Sequence, residues 1–336
     1  MLISRAPLRF PLGGGGTDLP SYYTKYEGFF ISGAINKFSI IAANKLFNGH
    51  IKLNYADRET VASVPEIRHN LFREALKQVG IENSIELHSI ADVPAGTGLG
   101  SSGAFLVALL NTLYYYKYKK YMPKRQLAEL ACHIEIDILN EHEGKQDKYA
   151  AAYGGINAYT VHKDGFVDIN PISNEDILYH DLEEKLFLFY TGLSRQVLAS
   201  TVLKNQDEKT KAGDNDMVNS LHKIKEIGIK TVDAFERLDL DKFGHLLNDH
   251  WKVKKHYSPH STNPQIDEWY DLAMANGALG GKIMGSGGGG GFFVFYHPCE
   301  TPSEQWHFVE ALQKKGLTHV PYVFDREGVQ SFSWED

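Results

Sequence analysis

The stretch Pro94-Ala95-Gly96-Thr97-Gly98-Leu99-Gly100-Ser101-Ser102-Gly103 runs directly into Ala104-Phe105-Leu106-Val107-Ala108-Leu109-Leu110, and no other feature limits the fold as tightly. Glycine at every second position lets the backbone turn successive N–H groups toward one point, and the two serines stand where a helix begins. The first N–H groups of a helix have no partner inside it and carry the positive end of its dipole. Such a turn holds a polyphosphate without a dedicated lysine. The Walker A pattern Gly-x4-Gly-Lys-Ser/Thr is not met, since its lysine position is empty. For this segment alone, a glycine turn capping a buried helix is the plain alternative.

A chain of 336 residues is long enough for two domains with a core in each. The net charge of −7 and pI near 6.1 argue against nucleic acid or an anionic membrane as partner, because both call for a basic face. Cys132 and Cys299 are too few for a disulfide framework or a thiolate metal site, which points to a reducing, cytoplasmic setting. The opening residues lack the charged-then-apolar pattern of a signal peptide, and no run reaches the ~18 apolar residues of a membrane span.

In chain order, a strand over Leu2–Phe10 leads into Gly13-Gly14-Gly15-Gly16-Thr17-Asp18, a loop stripped of side chains with one acceptor at its end. It suits a small polyol; equally, Asp18 can cap a helix at Tyr22-Tyr23. Strands are expected around 29–31, 38–43, 51–55 and 84–88, with an amphipathic helix over Glu66–Val79 ended by Gly80. A helix opening at Pro123 carries the stripe Leu127, Leu130, Ala131, Ile134 and Ile138, and Glu135 falls at its edge beside small residues. Asp147 lies just past a helix in Gly144-Lys145-Gln146-Asp147, as a cap or as a catalyst. A hairpin over 156–172 turns at Lys163-Asp164-Gly165. The polar Pro171–Glu184 stretch reads as the domain boundary, giving residues 1–178 and 179–336. The second half holds a buried strand over Leu186–Tyr190, the turn Thr191–Arg195, three helices between Met217 and Asn276, and Gly277–Ser286 followed by five glycines and the strand Phe292–Tyr296. A glycine run between a helix and an aromatic strand is no linker; it can close over phosphates held by the first loop.

Three separated segments together resemble the GHMP kinases: Pro94–Ser102, the Gly-rich Lys282–Gly291, and Arg9 with Gly16-Thr17-Asp18. The resemblance spans nearly the whole chain. It implies an α+β, two-domain GHMP kinase fold, with an N-terminal half like ribosomal S5 domain 2 and a ferredoxin-like C-terminal half. Within the family the chain is most similar to sugar kinases acting at the anomeric hydroxyl. Its 5–10, 144–147 and 277–282 segments look like those of kinases for D-glycero-D-manno-heptose 7-phosphate.

The resemblance further implies that Pro94, Gly96, Gly98, Leu99, Gly100, Ser101, Ser102 and Gly103 hold the phosphates of ATP, with Ser102 and Glu135 on Mg²⁺. It makes Asp147 the residue that accepts or orients the sugar hydroxyl proton and Arg9 its partner. Asp18, Thr17, Gly16, Arg5, Gly287 and Gly288 fall to the substrate. Arg195, preferred over Lys252, Lys254, Lys255 and His256, is the candidate for a substrate phosphate, because a guanidinium binds phosphate through two parallel hydrogen bonds. Where galactokinases have Gly-Glu-His-Thr-Asp, this chain has Gly14-Gly15-Gly16-Thr17-Asp18, so Gly15 and Gly16 replace two polar residues used on galactose, which makes galactose a poor substrate. A fucokinase-like or galactokinase-like enzyme and a non-catalytic sugar and nucleotide sensor are the rival readings. The partner expected is a small sugar phosphate, met by a monomer or homodimer.

Overall fold

A computed structural model describes residues 1–172, 175–193 and 199–333. Among the described residues twelve strands form two sheets: β1 (Leu2–Gly14), β2 (Gly28–Lys45), β3 (Ile51–Asn54), β4 (Arg58–Val61), β5 (Ile85–Ala91), β6 (Ile156–Val161), β7 (Val167–Pro171), β8 (Leu186–Tyr190), β9 (Gly280–Ile283), β10 (Phe292–Tyr296), β11 (Thr318–His319) and β12 (Gln330–Ser333). The first sheet runs β12-β1-β2-β5-β3-β4, with β6 and β7 attached through the early part of β2. The second is four-stranded and antiparallel, β11-β8-β10-β9. This is the expected α+β arrangement.

The two strands expected at 29–31 and 38–43 are one 18-residue strand, β2, whose first part pairs with β6 and whose last part pairs with β5. β1 likewise runs beyond Phe10 to Gly14, so half of the glycine run is strand rather than loop. The helix expected over Glu66–Val79 starts later, at Asn70, and ends as expected on a left-handed Gly80 with φ of 73°. The polar Pro171–Glu184 stretch, expected as a domain boundary with no element assigned to it, is helical from Glu175 to Lys185, and a helix over Ala199–Lys211 appears where none was expected.

The Ser101–Tyr118 helix is apolar on nearly every side and is buried against β1 and β2, as such a helix must be. β10 shows why the second half stays attached to the first. Its residues alternate, with Phe292, Val294 and Tyr296 in the core shared with the first sheet. Phe293 and Phe295 fill a second core with Phe189, Trp251 and Phe308. Among the described residues no helix is long and apolar enough to cross a membrane.

Candidate active site

The Gly-rich loop takes the conformation its spacing demands. Gly96, Gly98 and Gly100 have φ of 75°, 95° and 77°, the left-handed region that only glycine enters freely. Gly100 itself is the residue before the helix, and no side chain caps the first turn, so the leading N–H groups of the Ser101–Tyr118 helix stay available to a ligand. The neighbouring strand clamps this loop from outside. The Arg9 backbone N–H donates to Leu99 O at 3.0 Å, and Arg9 Nη1 donates to Gly98 O at 2.6 Å.

The same arginine holds Asp147. Arg9 Nε donates to Asp147 Oδ1 at 2.7 Å, and Nη2 lies 2.5 Å from the same oxygen. Asp147 stands in the first turn of a helix over Gln146–Tyr153, not in a loop past a helix, and it caps nothing. Contact with the glycine loop is direct: a Cβ on Gly100 would meet Asp147 Cγ at 3.1 Å, and one on Gly103 would meet Asp147 Cβ at 2.6 Å. The glycines thus serve a second purpose, letting the helix start and the carboxylate approach each other.

Asp18 joins them. It does not cap the Pro20–Tyr26 helix, which Leu19 precedes without a side-chain cap. Its carboxylate accepts from Gln146 N–H at 2.9 Å, and Gly144 leaves room for it. Burial raises the Asp18 pKa, and the Asp147 charge adds to the rise against the Gln146 hydrogen bond.

Arg9, Asp18, Asp147, Gly16, Gly96, Gly98, Gly100, Ser101 and Ser102 all line one cavity of about 570 Å³. Tyr55, His69, Leu71, Val93 and Phe105 also line it, and together they make an aromatic and apolar wall suited to a flat base. Pro94, Leu99 and Gly103 support the loop from behind. Leu99 is fully buried, and the Pro94 carbonyl accepts from Thr97 Oγ1 at 2.9 Å.

Other expected residues stand elsewhere. Thr17 is fully buried, with its hydroxyl used on both sides by Phe29: Oγ1 donates to Phe29 O at 2.7 Å and accepts from Phe29 N at 3.0 Å. Arg5 lies over the Phe38 ring and 3.5 Å from Glu327, away from the cavity. Gly285 and Ser286, rather than Gly287 and Gly288, face the cavity; Gly287 is packed on Ser261. Arg195 lies outside the described residues.

Glu135 differs most from expectation. It sits in a π-helical turn over His133–Ile138, 4 % exposed and behind the cavity wall, in an ion pair with Lys148. Lys148 is fully buried and also donates to Gly144 O at 3.1 Å; the surrounding carboxylates raise its pKa against the burial that would lower it. Of the two oxygens expected on Mg²⁺, only that of Ser102 belongs to a cavity residue, because an ammonium already covers the other. Glu143 and Gln146 line the cavity and were not expected in the site. The signal for Gln146 is available afterwards: its Nε2 is buried in the cavity wall without a hydrogen-bond partner among the described residues, next to Asp18.

The family follows from two matches. The GHMP kinases N terminal domain profile matches residues 67–155, and the GHMP kinases C terminal profile matches residues 231–316. The chain belongs to the GHMP kinase family. GHMP kinases use ATP, and the chain is an ATP-dependent kinase. Among its relatives is a D-glycero-alpha-D-manno-heptose 7-phosphate kinase of Campylobacter jejuni, 28 % identical, with 98 % of each chain covered. A galactokinase of Pyrococcus furiosus is 23 % identical over 82 % of this chain and 85 % of its own length. The crystal structure of a D-glycero-D-manno-heptose 1-phosphate kinase from Bacteroides thetaiotaomicron has a TM-score of 0.81 at 24 % identity, covering 100 % of both chains, and speaks to the GHMP kinase fold.

Proposed function

We propose that this GHMP kinase transfers the γ-phosphoryl group of ATP to the anomeric hydroxyl of D-glycero-D-manno-heptose 7-phosphate, giving the 1,7-bisphosphate. The observation that carries the reading is the Arg9–Asp147 pair packed against the glycine helix start, in one cavity with Asp18 and Gln146. The similarity to the Campylobacter jejuni heptose 7-phosphate kinase over almost the whole chain supports the choice of sugar.

Phosphoryl transfer asks for placement and a matched field more than for covalent chemistry. The N–H groups after Gly100 receive the phosphates, and the aromatic wall around His69 and Phe105 takes the base. Both Arg9 contacts go to Asp147 Oδ1. Oδ2 is then the oxygen that takes the acceptor proton as the sugar oxygen attacks the γ-phosphorus and ADP leaves. An anomeric hydroxyl is the most acidic of the sugar's hydroxyls, so a carboxylate suffices as base. Asp18 and Gln146 hold sugar hydroxyls, one as acceptor and one as donor. Ser102 would hold, through its hydroxyl, a Mg²⁺ that accompanies the nucleotide and would neutralise phosphate charge; no step runs through Glu135. Residues 1–178 would form the lobe that carries loop and base, and residues 179–336 the lobe that closes the cleft.

The test is ADP release from the purified protein with heptose 7-phosphate, the unphosphorylated heptose, fucose, galactose and mevalonate. Heptose 7-phosphate is expected to give the highest kcat/KM, by ~100-fold over the free heptose. Equal efficiency on the free sugar would remove the 7-phosphate from the reading, and no turnover on any sugar would remove the kinase activity.

A further inference from the structure

Lys282 is the most unusual charge in the molecule. It lies on β9, 2 % exposed, paired across the sheet with Val294, and it lines the cavity. Among the described residues no carboxylate pairs with it; beside it stands another base, His250, whose Nδ1 is 3.3 Å from Lys282 Nζ. His250 is 5 % exposed and also lines the cavity. One turn along the same helix, Lys254 donates to Ile283 O at 3.1 Å and to Gly285 O, holding the loop that follows β9. Ser286, on that loop and in the cavity wall, has a buried hydroxyl with no partner among the described residues.

A buried ammonium without a counter-charge is costly, and among the described residues no carboxylate supplies one here. Burial first, then Lys254 and Arg9, hold the Lys282 pKa well below its usual range, and burial, then Lys282 and Lys254, lower that of His250. A bound oxyanion reverses that penalty by supplying the missing negative charge.

We propose that Lys282, with His250 and Ser286, forms a second anion subsite in the cavity, distinct from the helix start at Gly100, that takes a phosphoryl group. The ligand chemistry is a tetrahedral phosphate oxyanion. Two sources carry it: the terminal phosphate of the nucleotide and a phosphate ester on the acceptor. The inference rests on reading the cavity as a phosphoryl-transfer site, and ADP binding checks that reading separately.

The experiment measures binding by calorimetry to wild type and Lys282→Met, using ADP, the β,γ-imido analogue of ATP, heptose 7-phosphate and free heptose. Lys282→Met is expected to keep ADP affinity and to lose at least ~10-fold in affinity for one of the two phosphoryl-bearing ligands, a loss of ~1.4 kcal/mol. Loss confined to the imido analogue assigns the subsite to the nucleotide; loss confined to heptose 7-phosphate assigns it to the acceptor. Intact ADP binding with neither loss overturns the subsite and leaves the kinase reading standing. If wild type binds no ADP, the kinase reading itself falls. Should Lys282→Met not fold, acetylation of Lys282 in wild type is read by mass spectrometry. Protection by the imido analogue or heptose 7-phosphate, but not by ADP or free heptose, supports the subsite; no protection by either overturns it.

Discussion

Arg9 and Asp147, 138 positions apart in the chain, share one oxygen: Arg9 Nε donates to Asp147 Oδ1 at 2.7 Å while Nη1 of the same guanidinium holds Gly98 O. One side chain therefore sets the distance between the base and the phosphate loop. Replacing Asp147 by Asn keeps the volume and removes the proton acceptor. Asp147→Asn is expected to lower kcat by ~10²–10⁴ with ADP affinity unchanged, measured by steady-state turnover and calorimetry. Near-normal turnover would make the pair structural.

Gly100 and Gly96 separate two costs. Both are left-handed, but a Cβ at Gly100 meets Asp147 and Arg9 at 3.1 and 3.2 Å, whereas Gly96 has nothing within 4 Å. Each alanine substitution is expected to cost ~1–2 kcal/mol of stability from backbone strain. Only Gly100→Ala also lowers kcat, by ~10-fold or more, because it moves the base. Urea unfolding and turnover at saturating ATP distinguish them, and equal kcat losses would refute the crowding argument.

The Lys148–Glu135 ion pair is almost wholly out of solvent. Removing one partner strands a charge in the interior. Lys148→Met is expected to destabilise the fold by ~3–5 kcal/mol, and the double variant Lys148→Met/Glu135→Leu to recover most of it. Denaturant midpoints with unchanged slopes are the measurement. A double variant no better than the single one would show that the carboxylate is not the source of the cost.

Burial pushes the Glu143 carboxyl up to about 7, with Lys148 opposing the rise and Asp147, Glu135 and Asp18 adding to it. A carboxyl whose folded pKa stands above its unfolded value favours the fold in its protonated form. That contribution is complete below pH ~4 and is lost as pH rises through about 7. Glu143→Gln mimics the protonated state. Its stability relative to wild type is expected to rise by ~1–2 kcal/mol between pH 5 and pH 8, followed by thermal unfolding across that range. A pH-independent difference would show that Glu143 titrates normally.

Local chemistry made part of the site legible. Three glycines at alternate positions announce a left-handed turn before a helix, and the apolar run behind them announces a buried one; both stand as read. Asp147 and Asp18 were found through resemblance, and the spacing alone left each open as a helix cap. What stayed hidden depends on distant partners. Nothing in the segment around Thr17 shows that Phe29 would use its hydroxyl twice, nor around Glu135 that a lysine thirteen positions later would cover it. Lys282 reads in the sequence as part of a glycine motif. Only the second sheet, by burying it beside His250, shows it as a charge that no carboxylate pairs with among the described residues. The length of β2 was missed for a similar reason: Gly33 and Asn36 look like breaks, but β1 pairs along both sides of them.

β12 covers the outer edge of β1 in the register Leu2 with Ser333 through Arg5 with Gln330, and the Ser4–Ser331 hydrogen bond spans 327 positions. At ribosomal speeds of roughly 5–20 residues per second, that edge stands open for ~15–65 s of synthesis. During that time the strand bearing Arg9 displays unpaired backbone groups to any neighbouring nascent chain. Late arrival of its own last strand and early capture by a stranger therefore compete for that edge, and the outcome depends on translation speed and crowding as well as on the stability of the finished fold.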